Sequence, residues 1–257
     1  MLLCLDVGNT HLLGGVFSKD SLILRFRYAT PLLGTADQFG IFLVTLLKFH
    51  DLNAMEIEAI ALSSVVPNHD YTLRHCFSRY FKAATYFVLQ PSFKTGLNIR
   101  CSNPHEVGTD RIANAMGAVT TYPGVSLIVI DLGTATTLCA ITKDADYLGG
   151  AILPGLRLCM ETLKSNTAKL MAVDIEVPST YVGKTTRESI QSGLYYGNLG
   201  ALRELICGFK KEIFAEESVK VIGTGGFAHL YDRHGLFDVI MPDLVLLGLK
   251  KAFDYRT

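Results

Sequence analysis

Two short runs of residues suit the binding of a polyphosphate, and they lie about half the chain apart. Leu3-Cys4-Leu5-Asp6-Val7-Gly8-Asn9-Thr10 passes from an apolar stretch into Asp, Gly and small polar residues, and Leu127-Ile128-Val129-Ile130-Asp131-Leu132-Gly133-Thr134 repeats the pattern. In such a turn the Gly brings backbone N–H groups close to an anion, the hydroxyl donates a hydrogen bond, and the Asp can hold a cation. A third glycine turn, Gly223-Thr224-Gly225-Gly226, follows another apolar run. Bare backbone there, at the start of an expected helix, suits a flat adenine or a ribose. The chain has no G-x-x-x-x-G-K-[ST] segment, so it is not a P-loop protein. A single Asp-x-Gly turn is commonly a plain β-turn. Three glycine turns after apolar strands, in the order hairpin, hairpin, strand-to-helix, point to a nucleotide triphosphate, and the repeat points to two related halves facing it.

A second constellation is Gly108-Thr109-Asp110-Arg111-Ile112-Ala113-Asn114. Asp and Arg at the first turn of a helix can be ordinary capping and solvation. The functional alternative is that the carboxylate meets a substrate hydroxyl while the guanidinium grips a carboxylate or phosphate. The helix macrodipole favours the ionised carboxylate and makes it a weak base. Phosphoryl transfer tolerates that, because its loose transition state depends more on positioning the hydroxyl than on early proton removal.

The elements that must hold these residues follow from apolar periodicity and turn signals. Strands are expected at 2–7, 12–17 and 22–28. A helix is expected at 36–49, where Phe39, Phe42, Leu43, Leu46 and Leu47 form a stripe. A strand at 57–64, a helix after Pro67 and a strand at 84–89 continue in β-α-β order. After a loop over 91–105 comes a helix near 106–120. The second half restarts with strands at 126–131, 135–142 and 146–153. Pro154 opens a helix near 155–165, and a long helical stretch covers 186–214. A strand at 219–222, the third glycine turn, a helix at 227–234 and an amphipathic helix from Pro242 close the chain. This is an α/β pattern in two halves, 1–117 and 118–257.

Composition narrows the classes. With 257 residues, 49% hydrophobic, 19% charged and zero formal net charge, the chain has the balance of a globular protein and no electrostatic case for nucleic acid or an anionic membrane. No apolar run approaches the roughly 20 residues that span a bilayer, and the start MLLCLDVGNT lacks the basic region of a signal peptide. The six cysteines have no C-x-x-C spacing and mostly sit in apolar runs, so they are expected as reduced core residues of a cytoplasmic protein. His229 and His234 are expected to be solvated. Tyr195 and Tyr196 fit either a core or a dimer interface.

The order Asp6-Val7-Gly8-Asn9-Thr10, then Asn103-Pro104-His105-Glu106-Val107-Gly108-Thr109-Asp110-Arg111-Ile112-Ala113-Asn114-Ala115, then Asp131-Leu132-Gly133-Thr134-Ala135-Thr136-Thr137 closely resembles type III pantothenate kinase. Gly149-Gly150-Ala151-Ile152-Leu153-Pro154-Gly155 and Gly223–Gly226 extend the resemblance over nearly the whole chain. It implies two duplicated ribonuclease H-like domains of the actin-like ATPase superfamily, with mixed sheets flanked by helices. It further implies an ATP-dependent kinase acting on the primary hydroxyl of pantothenate, the first step towards coenzyme A. By resemblance Asp6, Val7, Gly8, Asn9, Thr10, His11, Leu12 and Leu13 form the ATP phosphate loop, and Thr134 contacts ATP. Gly108, Thr109, Asp110 and Arg111 bind pantothenate, with Asp110 as catalytic base and Thr186 lining the pocket. Asp131 holds a monovalent cation, potassium or ammonium, while magnesium accompanies ATP. The family forms homodimers. Cys101 stands where the family often has Tyr. The competing class is a nucleotide-binding regulatory protein of the same fold without kinase activity.

Overall fold

The computed structural model describes residues 1–83, 85–215 and 217–256, and the chain forms two compact units. The first comprises Met1–Leu97, Ser102–Thr121 and Asp243–Thr257; the second comprises Asn98–Cys101 and Tyr122–Pro242. The halves read from the sequence, 1–117 and 118–257, differ from these units chiefly at the C-terminus. The closing helix belongs to the first unit, a return of the chain that no local signal announces.

In the first unit β1 (Leu2–Val7), β2 (His11–Ser18) and β3 (Ser21–Ala29) form an antiparallel meander. β4 (Ala59–Ser64) and β5 (Thr85–Val88) extend it in parallel, giving the order β3-β2-β1-β4-β5. Ala84, the first residue of the predicted strand 84–89, lies outside the described residues. Alternation divides the side chains of β1 between two faces. Leu3, Leu5 and Val7 join the core with residues of α1 (Ala36–Phe49) and α2 (Asp70–Tyr80). α1 starts where it does because Thr35 and Gln38 form a reciprocal capping box. Cys4 and Asp6 point to the opposite face, against which α3 (Thr109–Thr121) and α6 (Leu244–Asp254) pack.

The second unit repeats the arrangement. β7 (Ser126–Leu132), β8 (Ala135–Ile141) and β9 (Asp146–Pro154) form the meander, and β10 (Val219–Thr224) and β11 (Val239–Ile240) extend it in parallel. A two-residue strand β6 (Asn98–Ile99), inside the predicted loop 91–105, adds to the outer edge of β9. Pro154 ends β9 rather than opening a helix; Gly155 is the N-cap of α4 (Leu156–Ser165). α5 (Thr186–Phe209) is capped by Thr185 and Glu188 and ends in a π-helical turn at Lys210–Phe214. Its Tyr195, Leu199, Leu202 and Ile206 are buried in the unit's own core, so this stripe is not free for a second molecule. Tyr195 stacks on Tyr231 and hydrogen-bonds His234 Nε2 at 2.8 Å, which removes His234 from the solvated class.

All six cysteines are free thiols, with Cys4, Cys76 and Cys139 buried. Burial pushes the Cys4 thiol up, and Cys76 up to about 12, so both stay protonated and inert. Among the described residues no helix is long and apolar enough to cross a membrane.

Candidate active site

In the first unit two of the sequence-predicted constellations meet at the C-terminal ends of two central strands, β1 and β4. Asp6 sits at the C-terminal end of β1, in register with Leu13 on β2 and with Ser63 on β4. Ser63 is fully buried, and its Oγ lies 3.1 Å from Thr109 Oγ1, at the first residue of α3. Thr109 Oγ1 donates to the carbonyl of Ser64 at 3.4 Å, which leaves Ser63 as donor to Thr109. The hydroxyl relay therefore ties the helix that begins Thr109-Asp110-Arg111 to the strand beside Asp6. Gly108 is bare for a local reason. A Cβ there would collide with Asp110 Oδ1, so the missing side chain is what lets the carboxylate fold back over the helix start. Arg111 Nη2 donates to the carbonyl of Glu106 at 3.4 Å, and Glu106 accepts from Asn103 Nδ2 at 2.7 Å.

The first glycine turn joins β1 to β2, as expected of a hairpin tip. Gly8 N–H donates to the His11 carbonyl at 3.1 Å, and Asn9 and His11 are exposed. Val7 and Leu12 point the other way and are fully buried in the core cluster. Within the predicted loop 6–13 these two positions can offer only backbone, and truncating Leu12 to Ala should cost stability of about 2–5 kcal/mol rather than contacts to a ligand.

In the second unit the other two glycine turns converge. Asp131 is the penultimate residue of β7, in register with Thr137 on β8 and Thr224 on β10. Gly133 N–H closes the tip on the Ala135 carbonyl at 3.1 Å, and Thr134 is exposed. Gly155, at the head of α4, donates its N–H to the Thr134 carbonyl at 3.1 Å. The third turn packs directly on the second. Gly225 has φ +86° and lies against Asp131, and Phe227 N–H donates to the Leu132 carbonyl at 3.2 Å. The turn differs from its sequence reading in two respects. Gly223 and Thr224 belong to β10, and the segment after the turn is a 3-10 helix, Ala228–His234. Gly223 is also covered: the Phe237 ring would stand 2.8 Å from a Cβ there, so its bareness serves internal packing.

Thr186 opens α5 and lines a cavity of about 610 Å³ between α4 and α5. Leu163, Leu170, Ile190 and Leu194 make its wall mostly apolar; of its hydroxyls, Thr162 and Ser189 already donate to the carbonyls of Leu158 and Gly183.

A family model for type III pantothenate kinase matches residues 2–207. A type III pantothenate kinase of Legionella pneumophila is 51% identical over 98% of both chains. This chain belongs to the type III pantothenate kinase family. Two solved structures share the fold. One, from Campylobacter jejuni and described as a candidate Baf family transcriptional activator, has TM-score 0.61 at 19% identity over 98% of both chains. A ROK hexokinase from Thermus thermophilus has TM-score 0.52 at 15% identity over 100% of this chain and 99% of its own. The two mixed sheets, which share one five-strand order apart from the added β6 and are flanked by helices, thus have the actin-like ATPase fold that the family resemblance implies.

Set against the family's kinase chemistry, sequence reasoning passed over Ser63. The available signal was a polar residue at the end of an otherwise apolar strand, in register with the first Asp. The donor sets also bear on ions. Among the described residues no group of three or more His, Cys, Asp or Glu side chains could hold a metal. Asp131 instead combines one carboxylate with bare backbone at Gly133 and Gly225, a cradle that Cβ atoms would narrow or fill. Magnesium arriving on ATP needs only one or two protein carboxylates, since phosphates and water complete its shell.

Proposed function

We propose that this protein transfers the γ-phosphoryl group of ATP to the primary hydroxyl of pantothenate, yielding 4'-phosphopantothenate and ADP, the first step of coenzyme A synthesis. The observation that supports it most is the Ser63–Thr109 tie, which fixes the start of α3, and so Asp110 and Arg111, to β4 where it pairs with Asp6 of β1. The acceptor hydroxyl attacks the γ-phosphorus, its proton passes to the Asp110 carboxylate, and the bond from phosphorus to the bridging oxygen of ADP breaks. Asp110 is the proposed base, Arg111 the partner of the pantothenate carboxylate, and Gly108 and Thr109 the backbone and hydroxyl beside them. Residues 6–13, Val7 and Leu12 by backbone only, and Thr134 are the proposed ATP contacts. Thr186 is the proposed pantothenate contact within its cavity. Magnesium enters with ATP. Potassium or ammonium at Asp131 supplies charge neutralisation next to the phosphates.

We further propose a homodimer working in the cytoplasm. In support, the segment before α5 exposes apolar side chains, with Tyr181 69% and Val182 79% accessible. Sedimentation showing only monomer at micromolar concentration, with full activity, would refute the dimer. The activity is tested by coupled ADP release with pantothenate, with and without potassium. ATP binding without pantothenate-dependent ADP release would sink the kinase reading in favour of a regulatory protein.

A further inference from the structure

The turn between β1 and β2 is gripped from outside by one residue that the sequence did not flag. Thr30 follows β3, is 1% exposed, and starts a 3-10 turn, Thr30–Leu32, with Pro31 inside it. Its hydroxyl donates to the Gly8 carbonyl at 2.7 Å, and its backbone N–H donates to the Thr10 carbonyl at 3.0 Å. The Thr30 carbonyl accepts from Leu33 N–H at 3.1 Å, so the gripping residue is itself fixed.

The consequence follows from peptide geometry. A trans peptide is planar, with its C=O and N–H on opposite edges, and the described chain has no cis peptide. Drawing the Gly8 carbonyl towards Thr30 turns the Asn9 N–H of the same plane away from Thr30. The hydroxyl of Thr30, in the 3-10 turn that follows β3, thereby chooses the orientation of a peptide at the exposed tip of the hairpin. For a hairpin, closure by Gly8 N–H to the His11 carbonyl is already sufficient. For an anion site, the direction of the tip's N–H groups decides whether the turn attracts or repels a phosphate.

We propose that Thr30 is a positioning residue for phosphoryl transfer, its hydroxyl setting the Gly8–Asn9 peptide plane so that the Asn9 N–H is aimed at a phosphate of the nucleotide. This rests on residues 6–13 being the ATP phosphate loop. The test compares the full chain with Thr30→Val, Thr30→Ala and Thr30→Ser, by steady-state kinetics and by calorimetric binding of ADP and of adenosine. In the Val and Ala variants the KM for ATP should rise about tenfold, the equivalent of one well-directed hydrogen bond to a charged group. ADP affinity should fall by the same factor, while the KM for pantothenate and the affinity for adenosine stay put. Thr30→Ser keeps the hydroxyl and should restore wild-type values within about twofold. Unchanged ATP and ADP parameters in Val and Ala would overturn the proposal. So would an equal loss of adenosine affinity, or failure of both variants to fold, since either assigns Thr30 to the fold alone. Asp6→Asn separates the two layers. If it alters ATP kinetics while Thr30→Val does not, only the role of Thr30 falls; if neither does, the phosphate-loop reading falls with it.

Discussion

Asp131 and Gly225 are locked against each other: a Cβ on Gly225 would collide with Asp131 Oδ1 and stand 2.6 Å from the backbone nitrogen of Leu132. Gly225 also holds φ +86°, a backbone region that costs other residues about 1–3 kcal/mol. Gly225→Ala should therefore lower the melting temperature and displace the Asp131 carboxylate. The potassium concentration for half-maximal activity should rise together with the KM for ATP. A variant that melts lower but keeps both kinetic values would show that the contact is structural only.

The proposed cation role of Asp131 has a direct check. A carboxylate beside a phosphate turn repels ATP unless a cation intervenes. Activity should fall sharply when potassium and ammonium are replaced by sodium or a bulky organic cation, and Asp131→Asn should lose most of this dependence. Equal rates in all these salts would remove the assignment.

Ser63 offers a test of how the acceptor side is positioned. Ser63→Ala removes the donor to Thr109 Oγ1, a bond worth about 0.5–1.5 kcal/mol, while Thr109 keeps its bond to the Ser64 carbonyl. The first turn of α3 loses one of its two ties. We expect kcat to fall about 3–10-fold, with the KM for ATP nearly unchanged and Ser63→Thr less affected than Ser63→Ala. A change in the KM for ATP alone would show that Ser63 serves the Asp6 side instead.

The legible parts of the molecule were those whose signals are local. β1, α1 and both hairpin tips follow from alternation, stripe and turn residues within a few positions. What the sequence hid depends on register. Ser63 matters because β4 runs parallel to β1 with Asp6 opposite it, and Thr30 because β3 ends beside the turn. The apolar stripe of α5 reads equally well as core or interface, and only the position of Tyr231 and Leu199 shows that the unit's own core uses it. Gly223 looked like open backbone because Phe237, which covers it, lies beyond the 3-10 helix.

A pH-dependent contribution to stability is built at Lys250 in α6. Its Nζ donates to Asp254 Oδ2 at 2.6 Å and to Asp20 Oδ1, in the β2–β3 turn, at 2.9 Å. Burial opposes the Lys250 charge, yet the hydrogen bonds and charges of Asp254 and Asp20 outweigh it and hold its pKa above the ordinary 10.5. The hydrogen bond and charge from Lys250 hold Asp20 below its ordinary 3.8. The raised Lys stabilises the fold below 10.5 and loses that effect as pH climbs through its folded value; the depressed Asp stabilises above 3.8 and loses it on acidification. Lys250→Met should therefore melt lower by about 1–3 °C near neutrality, a scale set by exposed ion pairs. The difference should narrow towards both pH extremes. A gap that is constant across pH would assign the effect to packing of the Lys stem.

The last prediction separates chemistry from scaffolding at the head of α3. Asp110→Asn keeps volume but removes the charge and the proton acceptor. If Asp110 orients and deprotonates the pantothenate hydroxyl, kcat should drop by about 10²-fold or more, the scale of positioned acid–base groups. The KM for ATP should change little, because Asp110 lies in none of the proposed phosphate turns. Arg111→Lys keeps charge and loses the planar fork, so the KM for pantothenate should rise more than kcat falls. A folded, ATP-binding Asp110→Asn enzyme with near-normal kcat would require another base. Asp6 or Asp131 is then the next candidate, and Asp6 pairs in register with Ser63, whose strand β4 is tied to the start of α3.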